Sequence, residues 1–153
     1  MASRPGDRPG RGAASRQAIV ALQAALGAEQ AATYGYGIVG SHLSGRKFAA
    51  ASADWVAHQR ARDSLVQMIS VRGATPRPAA VAYRLPVKVS TAAGAVALAI
   101  ILERQVAAVY LGLVALNDHS LRAFGAAQMA SSAVRQTHWS GHSQAFPGLP
   151  GRQ

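Results

Sequence analysis

Two glutamates occur among the 153 residues, Glu29 and Glu103, and both fall where apolar residues recur at helical spacing. Each is followed seven residues later by a tyrosine, Tyr36 and Tyr110. Seven residues is close to two helical turns, so each acid shares a face with its phenol. A carboxylate on an apolar face must find a cation, bind a metal ion or take up a proton, because an isolated buried charge is costly. His58 is the third candidate, since imidazole serves either as a metal ligand or as a hydrogen-bond partner for an acid. The remaining acids are Asp7, Asp54, Asp63 and Asp118, and there is no cysteine. Disulfides, thiolate metal sites and cysteine nucleophiles are therefore excluded. No Ser-His-Asp spacing, phosphate-cradling glycine loop or HExxH pair is present, which leaves hydrolase and nucleotide-binding readings without support.

The elements that must carry these residues are helices. Alanine is abundant and aromatics make up only 6% of the chain, a composition that suits close-packed helices and not a strand-rich sandwich. Residues 1–16 are rich in Pro, Gly and Arg without apolar periodicity and read as a disordered basic arm. A four-helix bundle is expected over residues 17–140. Its first helix, Gln17 to Leu43, has a seam of Ile19, Leu22, Leu26, Glu29, Thr33, Tyr36, Gly40 and Leu43. The second, from about Phe48 to Arg72, is expected to turn Phe48, Ala51, Trp55, His58, Leu65 and Ile69 inward, with Arg62 interrupting. After a proline-bearing linker, Gly73 to Val89, Ser90 is the expected N-cap of the third helix. That helix, ending near Leu116, carries Val96, Ile100, Glu103, Ala107, Tyr110 and Val114, and a fourth spans roughly His119 to Ser140. Residues 141–153 read as a tail, with Phe146 and Leu149 folding onto a bundle end capped by His138 and Trp139. Gly35, Gly37 and Gly40 read as places of close backbone approach.

The two hairpins echo each other at an offset of 74 residues (103 minus 29), placing both glutamates near mid-helix. Seventeen extended linker residues reach at most about 56–61 Å, whereas a 25-residue helix is about 37 Å long. The linker can therefore cross the whole bundle, giving an up-down-down-up order with a long crossover between helices 2 and 3. Four segments, Ala28-Glu29-Gln30-Ala31-Ala32-Thr33-Tyr34-Gly35-Tyr36-Gly37, His58-Gln59-Arg60-Ala61-Arg62-Asp63, Ala82-Tyr83-Arg84-Leu85-Pro86 and Phe146-Pro147-Gly148-Leu149, together resemble an uncharacterised bacterial ferritin-like family known as a domain of unknown function. The resemblance covers about Gln17 to Leu149. It implies a ferritin-like four-helix bundle without an established activity.

Di-iron carboxylate bundles need a glutamate from each of two helices and a Glu-x-x-His pair from each of the other two. Glu29 and Glu103 match the single glutamates, but Trp55 stands three residues before His58 and Arg135 three before His138. The ligand set is incomplete, so no metal or other cofactor is expected and oxygen chemistry is disfavoured. Iron or another divalent metal, if held, would use Glu29, His58 and Glu103. The preferred reading is a degenerate metal site turned into a polar core network, with Tyr36, Tyr110 and Arg62 in support and no catalytic residue. Arg60, Arg104 and Arg135 are further possible partners.

Sixteen basic residues against six acids give a formal charge of +10. This favours polyanion binding, although arginine outnumbers lysine fourteen to two, which also fits codon bias. Arg72, Arg77, Arg84 and Lys88 form a candidate basic patch. The expected function is a non-catalytic interaction or structural module, with a homodimer as one possible assembly. The alternatives are a nucleic-acid or ribonucleoprotein-associated protein and a mononuclear metal protein. Glu103 and Arg104 at the centre of the apolar third helix argue against a membrane span. Gln23 breaks the only leader-like run, so a cytoplasmic location is expected.

Overall fold

Runs of alanine and leucine with apolar residues three and four apart favour helix intrinsically and bury one stripe of each helix. The computed structural model describes residues 9–142, which form α1 (Pro9–Ser41), α2 (Gly45–Ser70), α3 (Ala92–Val114) and α4 (His119–Ser140), with no strand among the described residues. Pro9 opens α1 at the position where its missing N–H and fixed φ cost nothing. Residues 9–16, expected as part of a disordered arm, are thus helical although mostly exposed. Thr91, not Ser90, caps α3 by accepting from the Gly94 N–H at 3.1 Å. Asp118 caps α4 in the same way through Leu121. Residues 143–153, including Phe146 and Leu149, lie outside the described residues, as do residues 1–8.

Leu22, Leu26, Leu65, Ile69, Leu98, Leu113 and Leu121 are almost wholly buried, each contributing up to about 1.5–3 kcal/mol by transfer from water. The inner face of α2 is narrower than its sequence suggests. Ala51, His58, Ala61, Leu65 and Ile69 are buried, whereas Phe48 is 50% exposed and Trp55 39%. Trp55 lies on the α1–α2 surface with its indole N–H donating to the Thr33 carbonyl at 3.0 Å.

Contacts fix the helix directions. Thr33 meets Trp55 and Glu29 meets His58, so α1 and α2 are antiparallel. Ala21 lies by Gly112, Glu29 by Tyr110 and Tyr36 by Glu103, so α1 and α3 are antiparallel as well. Gly125 by Tyr110 and Arg135 by Glu103 show the same for α3 and α4. The linker lies along α1. Gln23 donates to the Thr75 carbonyl at 2.7 Å and accepts from the Arg77 N–H at 3.0 Å, and Gln30 donates to the Arg77 carbonyl at 2.9 Å. Tyr34 stacks obliquely on Tyr83, and Leu85, Val87 and Val89, like Ile38, pack against the core cluster that holds Tyr36, Val39, Leu98 and Leu102. A proline-rich segment without regular structure needs such side-chain partners for its backbone groups.

Close helix approach rests on two glycines. A methyl at Gly35 would stand 2.6 Å from Leu102 Cδ1, and one at Gly125 would meet Leu113 Cβ at 2.8 Å and the Tyr110 carbonyl oxygen at 3.2 Å. Gly37 and Gly40 have no such neighbour: nothing lies within 4 Å of a Cβ at Gly37, and only Phe48 at 3.9 Å at Gly40. Gly125→Ala is expected to lower stability by about 1–3 kcal/mol through overpacking. Gly37→Ala is expected to raise it by up to about 1 kcal/mol through helix propensity. Chemical denaturation of the two variants checks the pair.

Candidate functional site: a buried ion network

Glu29 on α1, His58 on α2 and Glu103 on α3 are fully buried, and His58 touches both acids. His58 Nδ1 lies 2.6 Å from Glu29 Oε2, and its Nε2 lies 3.0 Å from Glu103 Oε1. Both ring nitrogens therefore face carboxylate oxygens, an arrangement satisfied when both carry protons and the ring is an imidazolium. The tyrosines cross over. Tyr36, from the helix of Glu29, donates to Glu103 Oε1 at 2.6 Å, and Tyr110, from the helix of Glu103, donates to Glu29 Oε1 at 2.7 Å. The seven-residue spacing together with the antiparallel course of α1 and α3 produces this exchange, because each acid then faces the other helix's phenol.

The second cation comes from α4. Arg135 Nε donates to Glu103 Oε1 at 2.9 Å, and its Nη2 donates to Ser132 Oγ at 3.0 Å. Asp54, half-buried on α2, accepts the Trp139 indole N–H at 2.8 Å and stands 3.4 Å from the Tyr36 hydroxyl. Two buried carboxylates thus face two cations. Arg62, expected in support, is not part of the cluster. Its Nη2 lies 2.8 Å from the exposed carboxylate of its own neighbour Asp63, which holds the guanidinium at the surface.

Burial and charge pull the ionisation of these groups in opposite directions. For His58, burial alone would lower the pKa, but hydrogen bonds to Glu103 and Glu29 and their negative charges raise it to about 9. For Glu103, burial works upward and is outweighed by the hydrogen bond and charge of His58, the charge of Arg135 and the Tyr36 hydroxyl, so the carboxyl sits below its ordinary value. Both phenols are pushed well above their ordinary value, first by burial and then by the acids they face, and remain protonated donors. Asp54 is raised, mainly by burial. Arg135 is raised too: burial opposes its charge, but Glu103 more than compensates.

This donor set does not fit a metal centre. A metal would need a lone pair on His58, and each ring nitrogen is engaged with an acid. The Arg135 guanidinium stands against Glu103 Oε1, a cation where a metal ion would have to sit beside that carboxylate, and Trp55 lies on the surface. Among the described residues no three His, Asp or Glu side chains are arranged to hold an ion. The members that sequence reasoning left out of the site are Asp54 and Trp139, and of the further arginines offered as partners Arg135 is the one that reaches it. Asp54 lies one turn before His58. Arg135 lies one turn after Ser132, which the 74-residue offset pairs with His58. Of the candidate basic patch, Arg72 is bound to Asp118 at 3.6 Å and to the Met68 carbonyl, while Arg77, Arg84 and Lys88 are exposed along the linker.

Helices and network together define an all-α protein with a charge-compensated polar centre. The chain belongs to the family described as Domain of unknown function (DUF4439), which matches residues 21–151. It is similar to the crystal structure of a conserved hypothetical protein, rv2844, from Mycobacterium tuberculosis, at 34% identity and a TM-score of 0.79, covering 85% of this chain and 97% of that one. No curated protein matches it.

The proton on His58 links the network to pH. Its folded pKa lies above the ordinary 6.5, so the stability it supplies is complete below about 6.5 and is lost as the pH rises through about 9. Chemical denaturation at a series of pH values is expected to show stability declining across this window. Nitrogen-detected NMR is expected to show both ring N–H groups of His58 at pH 7.

Proposed function

We propose that this chain is a ferritin-like four-helix bundle, in up-down-down-up order with a crossover along α1, that works as a non-catalytic interaction or structural module. The observation that carries this reading is the commitment of both His58 nitrogens to Glu29 and Glu103, with Arg135 on the same Glu103 oxygen. Protein cations stand where a metalloprotein would require electron-pair donors. The antiparallel pairings of α1 with α2 and α3, and of α3 with α4, support the topology. The family and the similar solved structure are themselves described without an activity, so the reading rests on the site.

A structural network and a metal site respond differently to substitution. Removing one member of a buried charged cluster leaves its partner uncompensated and costs about 3–5 kcal/mol, whereas replacing the whole cluster by apolar residues of similar volume is often neutral. His58→Leu alone is expected to destabilise by that amount. The combined variant Glu29→Met, His58→Leu, Glu103→Met and Arg135→Met is expected to recover most of the loss. Elemental analysis of untagged protein purified without chelators is expected to find no stoichiometric metal. A stoichiometric ion that disappears in Glu29→Ala and Glu103→Ala would overturn the proposal.

A further inference from the structure

We infer that the bundle end where α2 begins and α4 finishes holds a binding site for the phosphate group of a small phosphate monoester. The inference goes beyond the reading of the polar centre and does not depend on it. A pocket of about 220 Å³ opens at this end, lined by Arg46 and Lys47 of α2, Val96 of α3, and His138 and Trp139 of α4. Three helices contribute because α2 and α3 begin, and α4 ends, on the same side of the antiparallel bundle. Arg46, Lys47 and His138 are all exposed.

No acid of the chain stands against these cations. Glu29 and Glu103 lie in the ion network, Asp54 accepts the Trp139 indole N–H, and Asp63 and Asp118 pair with Arg62 and Arg72. Asp7 precedes α1, which starts at the opposite end of the bundle, and residues 143–153 contain no Asp or Glu. Among the described residues no ion pair engages Arg46 or Lys47. A lone surface cation needs no partner. Two adjacent cations around one concavity repel each other across it, and an anion seated between them removes that repulsion.

The donors select the kind of anion. A guanidinium fork, an ammonium and an imidazole N–H, brought from two helices, can each take a different oxygen. A carboxylate offers two oxygens, whereas a phosphate monoester offers three and a charge of about −1.5 to −2. A nucleic-acid phosphodiester, with one charge and two free oxygens, matches them less well. Size limits the rest of the ligand. The pocket is smaller than the roughly 300–1,000 Å³ of sites for drug-sized molecules, so it takes the phosphate and the first atoms of its ester, with Val96 and the Trp139 ring as the apolar wall. That wall is fixed beforehand. Trp139 is 7% exposed, its N–H is held by Asp54 at 2.8 Å, and the His138 ring stands edge-on to it with centroids 5.4 Å apart. A preformed wall reduces the ordering cost of binding.

Nitrogen-15 NMR of the full-length chain, titrated with glycerol phosphate at an ionic strength held constant with chloride, is expected to give saturable shifts at the Arg46, Lys47 and His138 amides and the Trp139 indole N–H. Arg46→Gln and Lys47→Gln are each expected to weaken binding about tenfold, the loss of one charge-assisted hydrogen bond. The Trp139 indole resonance of the unliganded variants is expected to stay in place, which reports an intact fold. Arg122→Gln, at the opposite end of α4, is expected to change nothing. A full-length chain without a saturable response overturns the proposal, as do shifts spread evenly over Arg77, Arg84 and Arg122. Shifts at the four groups with single-stranded RNA but not with glycerol phosphate would assign the cations to a polynucleotide and overturn it too. None of these outcomes bears on metal content, so the reading of the centre is tested separately.

Discussion

Two carboxylates buried at mid-bundle have to be neutralised, and this constraint reaches every helix. Transferring an unpaired carboxylate out of water costs far more than the burial of one leucine returns. Glu29 and Glu103 could fold inward only with cations supplied from α2 and α4, and His58 and Arg135 supply them. The packing follows from that demand. The Tyr36 and Tyr110 hydroxyls reach the opposite acid only if α1 and α3 run antiparallel in one register, and the close approach at Gly35 and Leu102 brings those helices together beside the Tyr36–Glu103 bond. A slip of one residue along either helix would break both exchanges. The polar centre thus specifies alignment in a core whose alanines and leucines would tolerate several.

Much of this was legible from sequence because the informative residues are rare. In a chain with two glutamates, their placement on apolar seams and their matched tyrosines pointed to the centre, and the proline-bearing linker set the division between hairpins. The structure brings Glu29, His58, Glu103, Tyr36 and Tyr110 into one cluster. Arg62 failed for a local reason: Asp63 lies next to it, and a nearby exposed acid captures a flexible guanidinium more readily than a distant buried one. Arg135 was harder to select because its residue type is common in this chain, so type alone carried little information. Phe48 and Trp55 misled for a related reason. Large apolar side chains were assigned inward, but on α2 the small Ala51 and Ala61 are the buried residues, and the indole donates to the Thr33 carbonyl at the surface instead.

The boundaries of α1 show what periodicity cannot report. Residues 9–16 have no apolar stripe, and a stripe was the criterion for helix. Pro9 at the first helical position and the following alanines favour helix by propensity, without any inward face. Local propensity and burial are separate signals, and here only the first was present.

The internal symmetry of the two hairpins is broken at the cations, and the break has a structural consequence. Under the 74-residue offset the counterpart of His58 is Ser132, which cannot carry charge but accepts a hydrogen bond from Arg135 Nη2. That bond holds one end of the guanidinium away from Glu103, so Arg135 reaches the acid through Nε alone. Three donors, from His58, Tyr36 and Arg135, then converge on Glu103 Oε1, while the buried Oε2 makes no hydrogen bond. Glu29 is placed differently, with one donor on each oxygen. An unmatched buried acceptor costs about 1–3 kcal/mol. Glu103 is therefore the less evenly satisfied of the two acids, and it holds its charge because two cations, not one, stand against it.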